Sequence, residues 1–122
     1  MTIKTITVGG VAAAVIERET AVITDVQSAL DVMMTAKYEC GTHRIAIQKE
    51  ALAEDFFILS TGLAGEILQK FTNYGVKCAI YGDFSRYTSK PLRDFIRESN
   101  RRGTDVLFAA GRREALEWLA GT

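Results

Sequence analysis

Short β-favouring runs alternate with amphipathic helical patterns along most of this chain, and no other feature of the sequence limits its possible folds as strongly. The runs at residues 44–47, 76–81 and 105–109 each follow a helical pattern. Parallel strands need a crossover of about a dozen residues or more, which a helix usually supplies. The alternation therefore predicts an α/β fold in which these runs form a parallel sheet with right-handed crossovers.

The first sixteen residues predict a β-hairpin at one edge of this sheet. Apolar and polar residues alternate over 3–8, Gly9 and Gly10 supply a turn, and an apolar run resumes over 11–16. Two strands joined by such a short turn pair antiparallel. The expected fold is thus a mixed sheet of about five strands, in the order β-β-α-β-α-β-α-β-α, with helices packed on it.

Signals for helix starts support this order. Thr24, followed three positions later by Gln27, predicts a capping box for the first helix. Apolar residues at three- and four-residue spacing over 63–71 predict the second. Ser89 is expected to cap the third helix, and a short fourth helix is expected over 112–119.

Length and composition limit the class of protein. A chain of 122 residues predicts one domain over residues 1–122, and its 15 Lys and Arg balance its 15 Asp and Glu. This balance predicts neither nucleic acid nor a membrane surface as a partner. No run approaches the roughly 18 apolar residues of a membrane span. Cys40 and Cys78 lie in unlike contexts, which does not suggest a disulfide framework and favours the cytoplasm.

Residues 57–63, with the sequence FILSTGL, form the most specific local motif. They resemble the phenylalanine-isoleucine-aspartate-serine-serine-glycine-leucine pattern of STAS domains in anti-sigma-factor antagonists, with Leu59 where that family has aspartate. In those domains the hydroxyl residue at this helix start accepts a phosphoryl group from a partner kinase. The resemblance therefore implies a STAS-like fold and places the possible phosphoacceptor at Ser60 or Thr61.

The whole chain is also similar to a bacterial family called domain of unknown function 4180. The similarity is clearest over residues 38–42, 61–70 and 82–85. It identifies relatives of the chain and implies no activity.

Two groups of polar residues are expected beyond the carboxyl ends of the parallel strands, where open α/β sheets bind ligands. One group, within residues 60–65, opens the second helix, where free N–H groups suit a ligand phosphate or a phosphorylated side chain. The other group, within residues 83–90, follows the next strand. The alternative is that a hydroxyl only caps the helix and the glycines allow close packing. The candidate binding residues are Ser60, Thr61, Gly62, Gly65, Asp83, Ser85 and Lys90.

Several other residues have side chains suited to catalysis or metal binding, but their positions favour a structural role. Glu54, Asp55 and Asp83 could hold a divalent cation or supply a general base, although acids after strands usually solvate loops and cap helices. Cys40 and His43 bring a thiol near an imidazole, but they straddle a turn at the amino end of a strand and lack an orienting acid. We therefore expect no catalytic residue, metal or cofactor.

Basic and apolar clusters also have two interpretations each. The arginines near the end of the third helix and the start of the fourth could touch phosphates, but interleaved acids favour a solvated face. Those arginines are Arg97, Arg101, Arg102, Arg112 and Arg113. The residues expected to pack in the core rather than to bind a cofactor are Met33, Met34, Phe56, Phe57 and Cys78.

These observations favour a cytoplasmic STAS-like regulatory or protein-interaction module that binds through residues 60–65, with residues 83–90 beside them. The alternative is a small-molecule or nucleotide-phosphate binding protein, or a small enzyme, with its site at the same sheet edge. A third hypothesis is a homo-oligomer whose site is completed by a second chain. The expected partner is thus another protein or a second copy, with a small anionic ligand as the alternative.

Overall fold

The computed structural model describes residues 3–121, and its elements follow the predicted order. Three short 3-10 turns connect β3 to α2, and we call residues 49–62 the turn segment. The elements are β1 (Lys4–Val8), β2 (Val11–Ile16), α1 (Val26–Glu39), β3 (Arg44–Gln48), the 3-10 turns Lys49–Ala51, Glu54–Phe57 and Leu59–Thr61, α2 (Leu63–Asn73), β4 (Lys77–Tyr81), α3 (Lys90–Arg102), β5 (Val106–Ala109) and α4 (Arg112–Ala120).

The strands form a mixed five-stranded sheet in the order β1-β2-β3-β4-β5. β1 and β2 pair antiparallel, with Val8 opposite Val11, and the other neighbours pair parallel. Gly9 and Gly10 make the hairpin turn with φ of 58° and 81°, a conformation that suits glycine. The predicted α/β class, the amino-terminal hairpin and the parallel strands are confirmed.

The two faces of the sheet bury different kinds of side chain. Successive strand residues point to opposite faces, so Ile45 and Ile47 face α1, α2 and α3, while Ala46 faces α4. Large side chains fill the first layer, whereas four alanines beside Val15 and Tyr81 let the short α4 lie close to the second face. The alanines on that second face are Ala13, Ala46, Ala79 and Ala109.

The residues predicted from the sequence to pack in the core are buried or partly buried there. Met33, Phe56 and Phe57 are buried, Cys78 is fully buried, and Met34 packs partly buried against them. Burial raises the pKa of the Cys78 thiol, so this cysteine stays protonated and acts as a small apolar residue.

The predicted capping box of the first helix is wrong, and the predicted cap of the third helix lies at the expected residue without a side-chain hydrogen bond. The first helix is capped by Asp25, whose carboxylate accepts the Ser28 N–H at 2.8 Å, while the Ser28 hydroxyl accepts the Asp25 N–H at 3.1 Å. This reciprocal pair replaces the predicted pair of Thr24 and Gln27 because a charged carboxylate is a stronger acceptor beside the positive helix start. Ser89 does precede α3, but its side chain makes no capping hydrogen bond.

The strand order removes the kind of crevice in which many α/β proteins bind ligands. Such a crevice opens where the strand order reverses and neighbouring helices leave the sheet on opposite faces. Here each strand follows its predecessor without reversal, and α1, α2 and α3 all lie on one face. Surfaces at the carboxyl edge are therefore built from loops and helix starts. Within residues 3–121, no helix is long and apolar enough to cross a membrane.

The β5 edge of the sheet is closed by one side chain. Alternate residues of a strand direct their backbone groups to opposite sides, and those of Phe108 point away from β4. The Asn100 amide from α3 donates to the Phe108 carbonyl at 2.9 Å and accepts the Phe108 N–H at 2.7 Å. Asn100 thus takes the place of a neighbouring strand, which protects an edge that could otherwise pair with another chain.

We expect Asn100→Ala to lower the free energy of unfolding by about 1 to 3 kcal/mol, because both Phe108 backbone groups lose their partner. Urea unfolding measures this change, and sedimentation velocity should show new self-association through the opened edge. Asn73→Ala is the matched control, since Asn73 is exposed and only accepts a hydrogen bond from Gln69. An equal loss in both variants would contradict the role of Asn100.

Candidate functional site

The predicted site residues fall into two groups. Ser60, Thr61, Gly62 and Gly65 surround the start of α2, and all four are exposed. Asp83 and Ser85 lie in the loop after β4, and Lys90 is the first residue of α3. Among the described residues, no hydrogen bond or ion pair joins the first group to the second.

Aromatic rings connect the segments that carry the two groups. Phe57, from the turn segment, stacks on Tyr87 with centroids 5.0 Å apart and lies 6.2 Å from the Phe84 ring. Phe84 in turn meets Phe108 of β5 edge to face at 5.7 Å. The turn segment and the β4–α3 loop are therefore held side by side by apolar packing.

The two candidate phosphoacceptors differ in their surroundings. The Thr61 hydroxyl lies 2.8 Å from the Asp55 carbonyl and 2.9 Å from the Ile58 carbonyl, and it accepts the Leu63 N–H at 3.2 Å. These bonds fix the turn that leads into α2. The Ser60 hydroxyl is exposed and has no hydrogen-bond partner among residues 3–121. Thr61 is therefore a structural residue, whereas Ser60 is available.

Gly62 turns the chain into α2 with a left-handed φ of 80°. The first intrahelical hydrogen bond runs from the Glu66 N–H to the Gly62 carbonyl at 3.1 Å. The N–H groups of Ala64 and Gly65 come before this bond and carry the positive end of the helix dipole. The helix start thus offers backbone donors within one turn of Ser60.

The second group is held by local pairs. Asp83 accepts the Ser85 N–H at 2.9 Å, and hydrogen bonds from Ser85 lower the pKa of Asp83, with a smaller contribution from the Lys49 charge. Lys90 donates to Asp94 at 2.6 Å, one helical turn away. Asp83 and Ser85 form a turn, and Lys90 is engaged within its own helix.

Lys49 is the residue at this edge that sequence analysis missed. Its side chain is only 4% exposed, its Nζ lies 3.3 Å from the Glu50 carboxylate, and it sits 5.0 Å from the centre of the Tyr87 ring. Gly82 is needed beside it, since a Cβ there would lie 2.8 Å from the Lys49 Cβ. The only signal in the sequence is a lysine directly after a β-favouring run.

A second polar cluster lies on the α4 side of the same edge. The Tyr81 hydroxyl donates to Glu17 Oε1 at 2.7 Å, and Arg112 Nη1 lies 3.2 Å from the same oxygen. The hydrogen bond from Tyr81 lowers the pKa of Glu17, and Arg112 and Lys4 act in the same direction. Burial and this hydrogen bond raise the pKa of Tyr81, so the phenol stays neutral and serves as a donor.

The cysteine and histidine that could have formed a nucleophile pair are not joined. Cys40 caps the end of α1 and is partly buried, while His43 is exposed just before β3. No hydrogen bond links them in the part of the chain that the structure describes. The described residues also contain no group of three His, Cys, Asp or Glu side chains able to hold a metal.

Comparison with known proteins gives one match. A family model described as "Domain of unknown function (DUF4180)" matches residues 8–119. No curated protein and no solved structure matches the chain. The match extends over both groups of predicted site residues.

We expect Tyr81→Phe to lower the free energy of unfolding by about 1 to 2 kcal/mol near neutral pH, because it removes a hydrogen bond to a carboxylate. The pKa of Glu17 is lower in the folded chain than its ordinary value of 4.5. The ionised Glu17 carboxylate therefore stabilises the fold fully above pH 4.5, and this stabilisation is lost as the pH falls through the folded-state pKa. The pKa of Tyr81 is raised above its ordinary value of 10.0, so the neutral phenol makes its full contribution to stability below pH 10.

The difference between the wild type and Tyr81→Phe should therefore stay constant from about pH 5.5 to 9 and shrink below about pH 4.5. Urea unfolding over this range measures it. Tyr38→Phe is the control, since Tyr38 is 75% exposed and its hydroxyl has no hydrogen-bond partner among the described residues. A difference that does not change with pH would show that Glu17 is not the partner that matters.

Proposed function

The chain belongs to the DUF4180 family, whose description names no activity, and we propose from its surface that it is a STAS-like regulatory protein-interaction module. Its contact surface is the exposed part of residues 54–65, which we call the contact ridge. The β4–α3 loop lies beside this ridge through the contact between Phe57 and Tyr87.

Ile58 is the observation that carries the proposal. Of the large apolar residues in the described chain, three are exposed: Tyr38, Ile58 and Tyr74. The tyrosines have hydroxyls that water can solvate, but Ile58 is purely aliphatic and 48% exposed. Single exposed apolar residues are common. This one lies two positions before the available Ser60 hydroxyl, so an apolar anchor and a modifiable group share one surface.

Phosphorylation of Ser60 would change the ridge without unfolding it. A phosphoryl group adds a charge of about −1.5 to −2 at neutral pH. The N–H groups of Ala64 and Gly65 at the helix start favour such a charge. The same charge would join exposed Glu54 and Asp55 and make the surroundings of Ile58 strongly negative. A partner that docks on Ile58 would therefore distinguish the two forms.

We expect Ile58→Glu to reduce the amount of partner protein that co-purifies with the tagged chain from its own cells by about tenfold or more, because a charge replaces the apolar anchor. Quantitative mass spectrometry of the purified complex measures this amount. Tyr74→Glu is the matched control, since Tyr74 is 57% exposed and lies at the other end of α2. Equal losses in both variants, or no partner on the wild type, would overturn the interaction role.

We expect the intact mass of the chain isolated from its own cells to include a phosphorylated fraction that disappears in Ser60→Ala. Thr61→Ser is the control because it keeps the hydroxyl that accepts the Leu63 N–H. An adduct that persists in Ser60→Ala would move the phosphoacceptor to another residue. An unmodified wild-type chain would remove the phosphoacceptor role while leaving the docking test above intact.

A further inference from the structure

We infer that a groove between the β4–α3 loop and α3 binds a small phosphate monoester whose organic part is apolar or aromatic. This inference goes beyond the proposed function, because it requires neither a partner protein nor modification of Ser60. We call this surface the arginine groove. The residues that line it are Phe84, Ser85, Tyr87, Thr88, Arg93, Ile96 and Arg97.

The size and position of the groove suit a small ligand. It is open to solvent and has a volume of about 450 Å³, within the range of about 300 to 1,000 Å³ that is usual for ligand sites. It lies beyond the carboxyl end of β4, where the loop turns into α3. A second depression shares Thr88, Arg93 and Arg97 with it and extends the groove towards the ion pair of Lys90 and Asp94. The groove therefore has room for a phosphate and an attached ring.

The charge of the groove favours an anion. Of the described residues that line it, two are arginines and none is acidic. Arg97 is paired with Asp94 at 3.2 Å, and the same carboxylate is held by Lys90 at 2.6 Å. Arg93 forms no ion pair with any described residue, so its guanidinium retains its donors. A planar guanidinium can bind two oxygens of one phosphate at once.

Hydroxyl groups complete the polar side of the groove. Ser85 and Thr88 are exposed and line the groove; the Ser85 side chain hydrogen-bonds to Asp83, whereas the Thr88 side chain donates no hydrogen bond to another described residue. Phosphate oxygens accept hydrogen bonds from hydroxyls as well as from guanidinium groups. The groove thus presents both kinds of donor that a phosphate uses.

The aromatic residues of the groove favour a phosphate that carries an apolar or aromatic organic group. Phe84 and Tyr87 are partly buried and supply apolar surface beside the arginines. The Tyr87 hydroxyl is the one buried side-chain polar atom in the described chain without a hydrogen-bond partner. An unpaired buried hydroxyl is unfavourable, and a polar atom of a ligand placed against Tyr87 would give it a partner. Inorganic phosphate alone would leave the apolar surface uncovered.

Titration calorimetry with phenyl phosphate tests this inference, with inorganic phosphate as the reference and constant ionic strength throughout. We expect saturable binding of phenyl phosphate with a Kd of about 1 mM or tighter, and weaker binding of inorganic phosphate. Arg93→Gln should weaken the binding of phenyl phosphate about tenfold, since it removes a charge-assisted contact. Arg102→Gln is the matched control, because Arg102 is exposed on the same helix and lies outside the groove.

The control and the reference ligand make each outcome decisive. A loss confined to Arg93→Gln, with the urea midpoint unchanged, supports the arginine groove. Equal losses in Arg93→Gln and Arg102→Gln would show diffuse attraction to a basic helix and overturn the site. Equal binding of phenyl phosphate and inorganic phosphate would overturn the role of Phe84 and Tyr87. An absence of saturable binding would overturn the whole inference.

Discussion

The difference between the two faces of the sheet is the constraint on which the remaining structure depends. Isoleucine and phenylalanine fill much of one face, which three helices cover, whereas the other face holds four alanines beside Val15 and Tyr81 and is covered by a single nine-residue helix. Burying the large face supplies most of the hydrophobic stabilisation, because that stabilisation scales with the apolar area removed from water. The small face fixes where α4 lies, and α4 brings Arg112 to Glu17 and Tyr81.

This arrangement decides what kind of functional surface the fold can offer. With three helices on one face and no reversal of strand order, the carboxyl edge has no crevice between opposed helices. The edge is filled by the buried Lys49, which is paired with Glu50 and packed against Gly82. What remains accessible lies further out, on the contact ridge and in the arginine groove. The aromatic contact between Phe57 and Tyr87 joins the segments that carry these two surfaces.

On each surface, a residue with local hydrogen-bond or ion-pair partners lies near a residue of similar chemistry that has none among the described residues. On the contact ridge, Thr61 fixes the turn while the Ser60 hydroxyl is exposed. In the arginine groove, Arg97 is paired with Asp94 while Arg93 has no ion pair among the described residues. Residue type does not separate Ser60 from Thr61 or Arg93 from Arg97, because each pair has similar chemistry. Only their hydrogen-bond and ion-pair partners separate them.

The sequence by itself determined the order of the elements, the hairpin, the parallel strands and the buried identity of Met33, Phe56, Phe57 and Cys78. Those features follow from local periods of 2 and 3.6 residues and from turn glycines, which nearby residues encode. It also pointed to the start of α2 and to the loop after β4, but not to which of Ser60 and Thr61 is free.

Tertiary structure alone decided the pairs between distant residues. Lys49 lies beside Gly82 only because Gln48 is opposite Tyr81 in the strand register. Asn100 reaches Phe108, and Tyr81 reaches Glu17 across 64 positions, only after the helices have docked on the sheet. A period of 2 tells which face a residue occupies but not which residue of the next strand lies opposite it. Register and docking are set by the packing of the whole core, and no local pattern in the chain encodes them.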